Sequence, residues 1–154
     1  MIKMGREAYL IKIQFKKLVG LSELDGFLKR YGTRFAAKDN AWINYEITSS
    51  KGIVEIQVRP KNEKVNSISL RFAVINPDSI IDKVVSILNG FSKTFAAVIE
   101  DYELKKTFNS LDGYEKAMKE KLHDLRASFT NGKNIVLKPI KAGKEACDYV
   151  KTNE

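Results

Sequence analysis

The chain has 154 residues and a formal net charge of +8, with 44% hydrophobic and 30% charged residues. That length supports a core without staples, and that composition excludes a wholly disordered chain. One cysteine, Cys147, excludes an intramolecular disulfide and suits a reducing compartment, and no apolar run has the length of a signal peptide or membrane span.

The first element is an alternating segment. Tyr9, Ile11, Ile13 and Phe15 share one face, and Leu10, Lys12, Gln14 and Lys16 the other, as in a half-buried strand. Leu21, Leu24, Leu28, Tyr31 and Phe35 then follow helical spacing, with Ser22 as N-cap and Gly32 as stop. The helix is expected to end near Tyr31, leaving 33–40 irregular. Three more alternating segments follow, marked by Ile43, Tyr45 and Ile47, by Val54, Ile56 and Val58, and by Ile68, Leu70, Phe72 and Val74. Short turns at 49–52 and 60–64 make 41–75 an antiparallel meander.

Asn76-Pro77-Asp78-Ser79 reads as a helix start, followed by the stripe Ile81, Val84, Val85 and Leu88 up to Gly90, which either ends or kinks the helix. A second stripe, Phe95, Val98, Ile99 and Tyr102, predicts another helix to about Lys106. Tyr114, Met118, Leu122, Leu125 and Phe129 predict a third over about 112–129. Ile135–Ile140 is read as a fifth strand, at an edge because of Pro139. Residues 145–150 are either a short helix or frayed. The expectation is one α+β domain over 1–154, frayed at 1–6 and 142–154. Its order is β-α-β-β-β-α-α-α-β, with an antiparallel four- to five-stranded sheet and helices packed on one face.

Catalytic chemistry is poorly supplied. His123 is the only histidine. Glu120 and His123 are three apart, but a di-metal bundle needs a second such pair, so His123 reads as the boundary of an amphipathic helix. Cys147 would need His123 across the fold as its base, though Lys144 one turn away favours a thiolate. The cluster Glu100, Asp101 and Glu103 lies among lysines, and pairs such as Asp101 with Lys105 and Glu115 with Lys119 suit a solvated face. Neither phosphate-loop pattern occurs. No cofactor, metal or catalytic residue is implied. Phe91, Phe95, Tyr102, Tyr114 and Phe129 suit either plain core or the wall of a small-ligand pocket.

The charge is asymmetric. Residues 1–38 hold nine Lys/Arg against three Asp/Glu, whereas 78–127 hold eight against nine. Such a field draws an acidic partner to one side. Lys12, Lys16, Lys17, Arg34 and Lys38, with Trp42, are the candidate nucleic-acid contacts, because cations meet phosphates and aromatic faces add stacking. The chain therefore reads as a non-enzymatic cytoplasmic module that binds DNA or RNA. The alternative is a protein-interaction module (adaptor, inhibitor or homodimer) for an acidic protein or a second copy, using Trp42, Ile53, Ala73 and Ile75 on the outer sheet face.

Overall fold

The computed structural model describes residues 6–32, 34–39 and 41–152, with only the backbone described over 34–39. The strands are β1 (Ala8–Gly20), β2 (Arg34–Asp39), β3 (Trp42–Ser49), β4 (Gly52–Val58), β5 (Lys64–Ala73), β6 (Ala97–Asp101) and β7 (Lys106–Phe108). The helices are α1 (Leu21–Lys29), α2 (Ile80–Thr94), α3 (Tyr114–Thr130) and α4 (Lys144–Thr152). All seven strands form one antiparallel sheet in the order β2-β3-β4-β5-β1-β6-β7. The fold is α+β.

Alternation builds this sheet. The odd-numbered residues of β1 from Tyr9 to Phe15 are buried and their neighbours half-buried, and β3, β4 and β5 repeat the pattern. The helices α1, α2 and α3 cover the apolar face. Phe27 of α1 packs on Phe91 of α2 with centroids 4.6 Å apart, and Phe15 of β1 meets Phe91 at 6.0 Å and Phe95 at 5.6 Å. Each such ring contributes about 2–3 kcal/mol by leaving water. Phe91, Tyr114 and Phe129 are buried in the same core, whereas Tyr102 is exposed, so these rings fill space rather than line a cavity.

The sheet has more strands than the sequence suggests. The Phe95–Tyr102 stripe is not a helix, because 97–101 forms β6 between β1 and β7. Ala97, Ile99 and Asp101 are buried while Val98 and Glu100 are half-buried. Five residues satisfy either period, and backbone pairing with β1 decides the outcome. The stretch expected to be irregular contains β2, an edge strand whose bulge between Phe35 and Ala37 breaks the alternation. Gly90 does not end α2, which runs on to Thr94. A Cβ there would fall on the Tyr31 hydroxyl and 3.0 Å from the Phe27 ring, so glycine permits the close approach of α1.

Ile135–Ile140 is not a strand either, and Asn76 explains why. Instead of capping α2, its buried side chain accepts from the backbone N–H of Ile53 and of Ile140, at 3.1 Å each. It also donates to the carbonyls of Ala73 (2.8 Å) and Ile140 (3.0 Å). One side-chain amide takes the place of a strand ladder. Beyond it, Lys141 pairs with Glu46 at 2.8 Å and the Ala142 N–H donates to Glu55 at 3.1 Å. The chain thereby reaches the second face of the sheet at Lys141 and Ala142, and α4 follows with Ala146 and Val150 buried. Residues 145–150 thus take the helical option, inside α4, while 1–5 and 153–154 lie outside the described residues.

Asp101 departs from the solvated face expected of it, being only 1% exposed. Its carboxylate accepts from the hydroxyls of Tyr9 (2.6 Å) and Tyr114 (2.5 Å) and from the N–H of Glu103 (2.9 Å) and Leu104 (2.8 Å). Burial, with Asp101 adding to it, pushes both phenols far above their usual range.

Replacing Asn76 by Ala strands the buried Ile140 N–H and the part-buried Ile53 N–H and weakens the hold on 140–152. A loss of roughly 2–4 kcal/mol is expected, read as a lower urea midpoint. A raised phenol pKa means that the native state keeps protons which the unfolded chain sheds near pH 10. Stability is therefore full below that pH and falls above it, by up to about 1.4 kcal/mol per pH unit per tyrosine. Urea midpoints between pH 8 and 11 should show the fall, with Tyr9→Phe making it shallower.

Candidate functional site

The antiparallel registers place several connections at one end of the sheet. Ile43, Val58, Ile68, Ile13 and Ile99 form one row across β3, β4, β5, β1 and β6. Beyond that row lie the start of β3, the β4–β5 turn, the last residues of β1 and the α2–β6 connection. On the second face, the adjacent row is Asn44, Gln57, Ser69, Lys12 and Glu100, all half-buried.

Local backbone chemistry loads this end with cations. The β4–β5 turn is tight: Lys61 and Lys64 exchange backbone hydrogen bonds of 2.8 and 3.0 Å around Asn62 and Glu63, both in the left-handed region. A two-residue hairpin turn of this kind holds Lys61 and Lys64 side by side. In β1 the register with β5 shifts between Gln14 and Val19. Such a bulge suspends alternation, and Lys16, Lys17 and Leu18 are exposed in succession, Leu18 to 64%. Arg59 follows β4, and Lys93 lies in the last turn of α2.

The six cations Lys16, Lys17, Arg59, Lys61, Lys64 and Lys93 are exposed, and none forms an ion pair with an acid among the described residues. Trp42 opens β3 at the same end, 38% exposed, with the Arg59 guanidinium 5.6 Å from its ring centroid. The opposite end of the second face differs. Glu46 is paired with Lys141, and Glu55 with Arg71 at 3.2 Å. The Glu46 hydrogen bond also holds the Lys141 ammonium above its usual pKa. Ion pairs thus engage two acids of the second face at that end, although Lys51, Lys105 and Lys106 there are also exposed and form no ion pair with an acid among the described residues.

Of the residues singled out in the sequence, Lys16, Lys17 and Trp42 share the basic end, with Lys12 one row inward. In register Lys38 stands opposite Ile43 near this end, whereas Arg34 stands opposite Glu46, toward the other. Arg59, Lys61, Lys64 and Lys93 escape a reading by segment charge. The available signal is the meander itself: a hairpin that places 43 opposite 58 also brings the 59–64 turn beside Trp42.

The groups considered for catalysis do not assemble. His123 is exposed, its Nε2 3.2 Å from Asp78, and Asp78 also pairs with Arg126 at 2.7 Å. Partial burial pushes the Asp78 carboxyl up, but the hydrogen bonds and charge of Arg126 and His123 together outweigh it and hold that carboxyl below its usual range. Burial, with Glu7 and Asp148 nearby, pushes the Cys147 thiol up, against the lowering expected from Lys144. Among the described residues no three His, Cys, Asp or Glu side chains gather as metal ligands, and no helix is long and apolar enough to cross a membrane. Comparison with family models, curated proteins and solved structures finds no match to this chain.

The asymmetry of charge has a direct readout. Changing Lys16 and Arg59 together to Ala should lower the salt needed for elution from a heparin column. The same number of charges removed at exposed Lys116 and Lys151 should shift it much less.

Proposed function

We propose that this protein is a non-enzymatic binding module that holds nucleic acid on the basic end of its sheet. The observation that supports this most is the placement of five exposed, unpaired cations, Lys16, Lys17, Arg59, Lys61 and Lys64, at the end of the sheet where Trp42 is also exposed, with Arg59 on its ring. Cations free of intramolecular acids bind phosphates without first breaking an ion pair, and each phosphate contact releases counterions. The half-buried Asn44, Gln57 and Ser69 beside them add neutral donors and acceptors.

Protein interaction through an apolar outer face has less support. Ala73 and Ile75 are fully buried by the chain itself, and Ile53 is half-buried, which leaves Trp42 as the one exposed member of that set.

Fluorescence polarisation with labelled DNA and RNA tests the proposal. Affinity should fall with salt along a log–log slope of roughly −2 to −4, at about 0.7–0.9 per phosphate contact. The double change of Lys16 and Arg59 to Ala should flatten that slope by about 1–2. Absence of binding to every DNA and RNA probe at low salt would overturn the proposal.

A further inference from the structure

Resting on the nucleic-acid reading and deepening it, we infer that the occupant is single-stranded, with one of its bases stacked on Trp42. Three features support this.

The first is shape. The patch lies across a sheet instead of projecting from it. From Trp42 on β3 to Lys12 and Lys16 on β1 there are three strand spacings, about 14 Å. That is wider than the roughly 12 Å major groove of B-DNA, so this surface cannot enter a groove as one helix or a two-stranded ribbon does. A flexible strand can instead lie across it.

The second is the ring. The Arg59 guanidinium sits 5.6 Å from the Trp42 centroid, yet 38% of the residue stays open to solvent. A guanidinium over an indole is a stack that an unstacked base can extend, and the bases of a duplex are already stacked on one another.

The third is the row inward from Trp42. Asn44, Gln57, Ser69 and Lys12 succeed one another strand by strand, at about 4.8 Å intervals, before the row ends on Glu100 of β6. These groups meet the edges of splayed bases, which pairing hides in a duplex. At about 3.4 Å per nucleotide for a stacked strand, the 14 Å span takes about four nucleotides.

Trp42 is the only tryptophan in the chain, so its fluorescence reports the contact directly. The wild-type protein is titrated with a single-stranded decanucleotide, a hairpin duplex of matched charge, a heparin fragment and poly-glutamate, with emission and competition against a labelled strand both recorded. The single strand should quench Trp42 and bind most tightly. Trp42→Ala should weaken single-strand binding roughly 5- to 150-fold while changing duplex binding little, and Trp42→Phe should restore most of the loss. Equal binding of duplex and single strand with unquenched Trp42 overturns the stacking inference and leaves the cationic interface standing. Poly-glutamate binding as tightly as the decanucleotide overturns the choice of nucleic acid in favour of an acidic protein. Failure of both nucleic acids to bind overturns this inference together with the reading it rests on.

Discussion

The pairing of β1 on both its edges is the constraint on which the rest of this structure depends. The strand runs 13 residues and hydrogen-bonds β5 on one side and β6 on the other. Its odd-numbered residues from Tyr9 to Phe15 anchor the core that α1 and α2 cover. Near its start Tyr9 reaches Asp101, which gathers Tyr114 of α3 and the chain leaving β6 around one carboxylate. Toward its end the register with β5 slips and the strand turns three successive side chains outward. One element thus carries the middle of the core and part of the basic surface.

The second face owes its character to what lies over each end. A sheet covered by helices on one side commonly leaves the other to water. Here Asn76 fastens the chain near Ile140, and Lys141 and Ala142 then engage Glu46 and Glu55. Acid and base cancel where the chain folds back. At the far end the bulge and the tight turn present lysines that form no ion pair with an acid among the described residues. The resulting polarity follows from chain connectivity as much as from composition. Its largest hydrophobic group, Trp42, lies among cations instead of in the core.

Much of the sheet was legible in the residues. The alternation of β1, β3, β4 and β5 correctly separates buried from outward residues, and it placed Trp42 on the outer face. The helix near 114–130 was legible from its stripe. Segments with mixed signals were not. Val98 and Ile99 fit a helical stripe as well as a strand, and only bonds to β1 resolve them. Asn76 beside Pro77 resembles a cap, yet its amide serves a segment 64 residues away. Asp101, four residues from Lys105, looks solvated until Tyr9 and Tyr114 arrive from distant parts of the chain.

The candidate surface divides in the same way. The surplus of lysine in the first quarter of the chain, the outward parity of Lys12 and Trp42, and the lack of a repeated metal-ligand pattern are properties of the residues themselves. Hydrophobic periodicity expresses them because a strand has a fixed two-residue repeat and a helix a fixed 3.6-residue one. That Arg59, Lys61 and Lys64 reach the same end of the sheet as Lys16, Lys17 and Trp42 is a tertiary fact. It depends on strand order, register and one bulge, and these are settled by hydrogen bonds between segments far apart in the chain.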